Sequence, residues 1–482
     1  MSRSYSLISQ VSLSTLLLSL FLEGCSVGPR YKAPTPALAP FHNHIDVPAD
    51  KSVSAPPLDR WWTGFNDPLL VTVVQRALNQ NLDLATALAR VSQARAAAAG
   101  AGAKLYPAGE LDASATAERQ SLEGNLGSIA GSFHTFQRNI HEYTIGPAAS
   151  WELDIAGGLR HNAAAFRDEV QAAETDRIGT RVIVAADAAD AYLQVRGYQA
   201  RLAIAKNQIA TDEHLLKLVQ NRYEAGAGTK REIAQAEALL QHARSSVPLL
   251  RLSLEKQLNR LDVLMGAQPG TYAHELDTLT AIPSIPTIAN QEPTDVLRRR
   301  PDIIAAERRL AASNERIGVA IADYYPKISL SGVLGFDSLN SGHLFTAQGF
   351  QPAAVAGLRW RLFDFGRVDA EVKQARGANA EALVAYRQAV LRAAEDVENA
   401  VSSLAETQAH VMELQAEVQS LTRVRDLSEE AYRGGSITLT DVLDADRQLL
   451  AAQDELDSNR ADAARSAVGV FRAFGGGWEA PI

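Results

Sequence analysis

The chain has 482 residues, a formal net charge of −9 and only 6% aromatic residues. The acidic balance, with no obvious basic cluster, excludes nucleic acid as an expected partner. Abundant alanine and few aromatics favour long, closely packed helices over one large globular core, and the length allows several domains.

Residues 1–24 read as a signal peptide. Leu13–Leu22 is apolar but too short to span a bilayer as a stable anchor, and Arg3 is the only charged side chain ahead of it. The stretch ends in Leu22-Glu23-Gly24-Cys25, which resembles the lipobox of bacterial lipoproteins, where the cysteine sulfur takes a diacylglycerol. Glu23 stands where a small residue is usual. Cys25 is the single cysteine, which suits an exported chain that forms no disulfide. Lipidation at Cys25 would anchor the N-terminus firmly. The alternative is a cleaved secretory signal with an incidental cysteine. Residues 25–60, with Pro29, Pro34, Pro36, Pro40, Pro48, Pro56 and Pro57, read as an extended tether.

Residues 61–105 are expected to hold a first short helix, stopped at Tyr106-Pro107. Alternating apolar and small or polar residues then predict strands at Gly109–Ser121 and Tyr143–Ile155, a hairpin within 106–155 whose loop, 122–142, is rich in Gly and Ser. Residues 156–265 follow with no proline before Pro248, as a long helical hairpin; Pro248 should kink or break its second helix. A linker at 266–300 and a short helix at 301–324 lead to Tyr325-Pro326. A second hairpin lies within 325–364, with strands at Lys327–Leu339 and Gln351–Phe363. A second long helical hairpin occupies 365–473, and 474–482 form a C-terminal tail.

The second half repeats the first. Trp151, Leu153 and Gly157 recur 209 residues later as Trp360, Leu362 and Gly366; Tyr223 and Gly226 recur as Tyr432 and Gly435; Thr229, Ala236 and Leu240 recur as Thr438, Ala445 and Leu449. Within the long helices the apolar period is seven. Leu383, Val390, Val397, Leu404, Val411 and Val418 form one row, and Tyr386, Ala393, Ala400, Thr407, Leu414 and Leu421 follow three residues behind. Ala188, Val195, Leu202, Ile209 and Leu216 repeat the first row. The returning helices carry Ile233, Leu240, Val247, Leu254 and Leu261, matched by Val442, Leu449, Leu456, Ala463 and Val470. This is coiled-coil packing of antiparallel helices. Strands of this length slightly exceed what a tilted membrane strand needs. Four strands cannot close a barrel, and open edges are not tolerated in lipid, so several chains must share one. Three would supply twelve strands; the strand count alone does not set that number.

The arrangement resembles the TolC-like outer-membrane factors, in particular their lipidated efflux branch. The matching residues are Cys25-Ser-Val-Gly-Pro-Arg-Tyr31-Lys-Ala-Pro34, Trp61-Trp62, Phe65-Asn-Asp-Pro68-Leu, Asn79-x-Asn81-Leu-Asp83-Leu and Arg299-Arg-Pro301-Asp302-Ile. Trp360-x-Leu-Phe-Asp364-x-Gly366-Arg, the Tyr-x-x-Gly turns, Leu443-Asp-Ala445 and Phe474-Gly-Gly-Gly-Trp478 also match. The resemblance covers nearly the whole mature chain. It implies a mainly α homotrimer with a small β part: a shared twelve-stranded outer-membrane β-barrel, and an α-barrel of long helical hairpins crossing the periplasm. Segment 61–105, linker 266–300 and the tail at 474–482 would form an equatorial belt. Such proteins are passive exit ducts of tripartite efflux pumps, lipid-anchored and integral in the cell outer membrane. Their partners are a periplasmic adaptor (membrane fusion) protein, an inner-membrane transporter of the RND type and outer-membrane lipid; no enzyme activity and no cofactor are implied. The alternatives are the outer-membrane duct of a type I protein-secretion system and a periplasmic coiled-coil adaptor lipoprotein, although adaptors usually carry one helical hairpin.

The resemblance points to the hairpin tips for function. Acidic residues at positions matching Asp441 and Asp444 ring the closed periplasmic aperture in the family; crowded carboxylates would raise one another's acidity constants and attract cations. Thr438-x-x-Asp441 also fits a capping box, as does Thr229-x-x-Glu232, whereas Asp444 is matched in the repeat by Gln235 and is less well explained by capping. The turns with Tyr223, Gly226 and Thr229, and with Tyr432, Gly435 and Thr438, are expected to dock the adaptor; ordinary helix termination is the alternative. Trp151 and Trp360 suit a membrane interface at the barrel–helix junction, or simple packing. Among the ten histidines, His42 and His44 lie in the tether and His134 and His141 in a loop, with no metal-ligand spacing. Gly124–Gly127 and Gly475–Gly477 lack the Lys-Ser/Thr of a phosphate loop.

Overall fold

A computed structural model describes residues 26–35, 39–43, 55–130, 133, 137–277, 281–289 and 291–479. Cys25, the leader at 1–24, His44 and His134 lie outside the described residues. The described residues form two compact units, one drawn from 1–34, 92–172 and 307–385 and the other from 35–91, 173–306 and 386–482.

The elements begin with a 3-10 helix at Leu58–Phe65, followed by α1 (Pro68–Gln80), α2 (Leu82–Ala103), β1 (Ala108–Arg119), α3 (Asn125–Ala130), β2 (Asn139–Leu153), α4 (Gly158–Glu224) and α5 (Lys230–Leu264). Then come α6 (Ala273–Leu276), α7 (Pro293–Arg299), α8 (Pro301–Ala322), β3 (Lys327–Ser338), β4 (Phe350–Arg359), α9 (Arg367–Arg433) and α10 (Leu439–Ala473). Both long helices, α4 and α9, have 67 residues, about 100 Å at 1.5 Å per residue.

The first unit is built on one antiparallel sheet with strand order β1-β2-β3-β4. The register sorts its side chains into two faces. Ile328, Leu330, Leu334 and Phe336 of β3 lie opposite Leu358, Ala356, Pro352 and Phe350 of β4, and this apolar face continues through Trp151, Pro147 and Ile145 to Leu111 and Ala113. The other face is mainly polar, interrupted by Val333 and Val355: Ser329 and Ser331, then Glu152, Ser150, Thr144 and Glu142, then Glu110, Asp112, Ser114, Thr116 and Glu118. Ser114 and Thr144 pair their hydroxyls at 2.8 Å across that face. Neither outer strand has a further neighbour among the described residues, so β1 and β4 are open edges.

The strands end earlier than expected. β2 stops at Leu153 rather than Ile155, and β4 at Arg359 rather than Phe363. The reason lies in the aspartate that follows each strand. Asp154 accepts from Leu159 N and Arg160 N at 3.0 and 2.9 Å, and Asp364 accepts from Gly366 N and Val368 N at 3.0 and 2.8 Å. Each turns the chain into a long helix, helped by Gly157 and Gly366 at φ +83° and +84°. The loop at 122–142 is also partly ordered as α3 and the start of β2.

In the second unit the heptad seam is buried at Ala188, Val195, Val390, Val397 and Leu404. Pro248 does not break the returning helix, as α5 runs unbroken from Lys230 to Leu264. Pro248 lies on the exposed side, and the Ser245 and Ser246 hydroxyls donate to the carbonyls of His242 and Ala243 just before it. The single short helix expected in 61–105 is two, divided at Asn81. Its Oδ1 accepts from Asp83 N and Leu84 N at 2.9 and 3.1 Å, capping α2.

Motifs far apart in sequence meet in one core. Trp61 stacks on Phe471 with ring centroids 5.2 Å apart, and Trp62 and Phe474 are buried with them. Arg299 Nε donates to Gly475 O at 3.2 Å, and Arg300 Nη1 to Ala473 O at 3.1 Å. Arg300 Nη2 also holds Asp302 and Asp396, both at 2.8 Å. The paired Trp, the Arg-Arg-Pro-Asp and the Gly-Gly-Gly motifs are therefore one structural clasp.

Candidate functional site

Each long helix ends in the same cap. Ala227 N donates to Arg222 O at 2.8 Å and Gly226 N to Tyr223 O at 3.0 Å; Ser436 N donates to Ala431 O at 2.9 Å and Gly435 N to Tyr432 O at 3.0 Å. These are Schellman motifs with glycine in the left-handed position, at φ +74° and +77°. A Cβ on Gly226 or Gly435 would meet nothing within 4 Å, so backbone conformation, not crowding inside the chain, requires the glycines.

The return helices start with side-chain caps. Glu232 Oε2 accepts from Thr229 N at 2.6 Å, and Glu232 N donates to Thr229 Oγ1 at 3.2 Å. Asp441 Oδ2 accepts from Thr438 N and Oγ1 at 2.9 and 2.7 Å. The Thr438 bonds hold the Asp441 carboxyl below the usual carboxylate range. Asp441 is thus a capping residue in this chain. Asp444 is exposed and faces Arg447 Nη1 at 3.6 Å along its own helix.

The repeat is broken at the two tyrosines. Tyr223 is 38% exposed, whereas Tyr432 is 1% exposed. Arg222 lies over the Tyr432 ring at 4.3 Å, and its Nη1 donates to Tyr432 O at 2.6 Å. Burial pushes the Tyr432 phenol up. Tyr432 packs with Leu215, Val219, Ala236, Leu239, Leu439, Val442 and Leu443, so both hairpin tips share one apolar cluster.

The tips also carry an electrostatic cluster. Asp212 of α4 and Asp446 of α10 are 1% and 3% exposed. Arg425 Nε of α9 meets Asp446 Oδ1 at 3.2 Å, and Gln208 Nε2 donates to Asp212 Oδ1 at 2.7 Å. Asp212 Oδ2 has no hydrogen-bond partner among the described residues. Burial, reinforced by Asp446, pushes the Asp212 carboxyl up to about 6 against the opposing Gln208 bond. Burial also raises Asp446, opposed by Arg425.

Residues 73–267 and 293–476 match the outer membrane efflux protein family. The chain belongs to that family. Each matched segment contains one strand pair and one long helical hairpin, so the match is duplicated in the same way as the fold. The efflux protein is 32% identical to the pyoverdine export outer membrane protein OpmQ of Pseudomonas aeruginosa over 98% of each chain. It is 29% identical to nodulation protein T of Rhizobium leguminosarum bv. trifolii over 92% of each. Among solved structures, the outer-membrane channel OprN superposes with a TM-score of 0.85 at 31% identity, covering 94% of this chain and 100% of that one. The efflux protein is therefore an outer-membrane efflux channel.

Sequence reasoning missed Asp212, Arg425 and Asp446. The signal was present: Asp212 is matched in the repeat by Leu421, a carboxylate at an apolar seam position, and Arg425 is matched by Leu216. A charge in such a row is costly unless paired, which marks it for attention.

Proposed function

We propose that the efflux protein is the exit duct of a tripartite pump, closed from three copies, passively conducting small toxic compounds delivered by an inner-membrane transporter of the RND type through a periplasmic adaptor. The observation that carries this reading is the open four-stranded sheet with one apolar and one polar face. A sheet of this kind is stable in lipid only when other copies pair its edges and its polar face turns inward. The long hairpins then continue the conduit into the periplasm. Relatives named for pyoverdine export and for toluene efflux have unlike cargo, which favours a generic duct and leaves the choice of cargo to the transporter.

At the periplasmic end, three copies of Asp444 ring the aperture, with Asp441 beside them as cap and second carboxylate. The adaptor docks on the surface made by Tyr223, Gly226, Thr229, Gly435 and Thr438, with buried Tyr432 supporting it from beneath. Lipidation at Cys25 ties the duct to the inner leaflet of the outer membrane. Deleting the gene should raise intracellular ethidium in the host, and restoring the full chain should return it to the parental level. Unchanged ethidium in the deletion, with the transporter and adaptor present, would oppose the pump reading and favour a secretion duct.

A further inference from the structure

The first residues after Cys25 are laid onto the protein rather than left as a free tether. Ser26 Oγ and His161 Nε2 are 2.8 Å apart, and His161 Nδ1 and Glu315 Oε2 are 2.6 Å apart. Val27 N donates to Ala156 O at 3.1 Å. Asn314 Nδ2 donates to Pro29 O at 3.0 Å, and Tyr31 Oη donates to Glu307 Oε1 at 2.6 Å. Glu307, Asn314, Glu315 and Gly318 recur along α8 at helical spacing, forming a single stripe beneath the segment.

Two glycines permit the approach. Gly28 has φ +128°, and a Cβ there would sit 2.8 Å from Gly318 Cα. A Cβ on Gly318 would strike the His161 ring at 2.6 Å. A larger residue at 28 would push the segment off α8, and one at 318 would displace the His161 ring that holds Ser26. The repeat supplies a control. A Cβ on Gly157 would lie 3.0 Å from Ser26, but one on its counterpart Gly366 would meet nothing within 4 Å. Phe365, beside Gly366, is fully exposed, whereas its counterpart Ala156 holds Val27. Among the described residues, only the first copy of the duplicated junction has this seat.

We propose that residues 26–31 are a strap locked into this seat by the Ser26–His161–Glu315 relay, and that the strap fixes the acylated terminus at the periplasmic rim of the barrel. The proposal rests on the lipidation reading for Cys25. The seat begins at Ser26, the residue next to Cys25; Ser26 is held through its hydroxyl and Val27 through its backbone. Ala156 lies just past the end of β2, which sets the depth at which the acyl chains enter the leaflet. The lipid thereby becomes a fixed post of the barrel rather than a loose leash.

The test is trypsin cleavage at Arg30 and Lys32 of the detergent-purified full chain, followed by mass spectrometry, with the heat-modifiable oligomer monitored in parallel. The wild type and Cys25→Ser should be cut slowly, and Gly28→Ala and His161→Ala at least tenfold faster with the oligomer intact. Gly28→Ala changes the strap and leaves the sequences of α4 and α8 intact, so it remains informative if changes within those helices disturb folding. Equal cleavage of wild type and Gly28→Ala would overturn the seat. Loss of protection in Cys25→Ser would show that lipid, not the seat, holds the segment. Absence of palmitate from the wild type would overturn the anchoring role, even with the strap protected. Labelling of Ser26 by a fluorophosphonate probe would assign the relay to nucleophile activation instead and overturn its role as a lock.

Discussion

Trp151 and Trp360, related by the internal repeat, make the same hydrogen bond: each indole Nε1 donates to a backbone carbonyl at 3.0 Å, Leu105 O for Trp151 and Tyr324 O for Trp360. Each bond ties the end of a strand to the helix stop that precedes its hairpin. The partners differ in spacing because the first hairpin loop is longer. The junction hydrogen bond is therefore built twice from one plan, with each indole tied to the backbone there. Trp151→Phe keeps an aromatic ring but removes the bond, and should cost about 1 kcal/mol for the bond. Trp360 is more exposed, so Trp360→Phe should cost less. The temperature at which the heat-modifiable oligomer dissociates reports both, and an equal or reversed order would count against this role.

Asp212 sets a pH dependence. Its folded-state value, about 6, lies above the ordinary aspartate value of 3.8. The stability associated with its neutral form is present in full below about pH 4 and is lost as pH rises through about 6. Asp212→Asn keeps the Gln208 contact and removes the charge. It should stabilise the protein at pH 7.5 by about 1–2 kcal/mol, after allowance for solvent screening, and the gain should vanish below pH 4. Denaturant unfolding at the two pH values measures this. A gain independent of pH would point to packing rather than charge.

Asp444 and Asp441 should separate in function. Asp444→Ala removes an exposed carboxylate that caps nothing, so single-channel conductance should rise and block by divalent cations should weaken. Asp441→Ala also removes the partner of Thr438 N and Oγ1, and should fray the start of α10 in hydrogen exchange. Unchanged conductance and block in Asp444→Ala would sink the aperture assignment.

Gly435 combines a left-handed conformation, which strains other residues, with open surroundings. Gly435→Ala should cost about 1 kcal/mol through its positive φ. Gly435→Trp should leave the oligomer in the outer membrane but abolish pull-down of the adaptor and efflux of ethidium. Normal efflux in the tryptophan variant would exclude this surface from docking.

The long hairpins were legible because a seven-residue apolar row, repeated in both halves, leaves little choice of structure. The caps at Thr229 and Thr438 were legible for the same local reason. The cluster of buried Asp212 and Asp446 with half-buried Arg425 was not, because its members come from three helices and meet only after packing. Pro248 suggested a kink or a break, and the returning helix is unbroken through it. The seat for Ser26 was hidden because glycine at 28 and 318 has no meaning until the two backbones are seen to cross. Tyr223 and Tyr432 read as equivalents, yet Arg222 covers only one.

The most direct test of the central claim, that open edges β1 and β4 are closed by other copies, is native mass spectrometry of the full chain extracted from outer membranes in mild detergent. The expected result is a single species of three chain masses that collapses to one chain mass on heating. A species of one chain mass with its strand content intact would contradict a shared barrel.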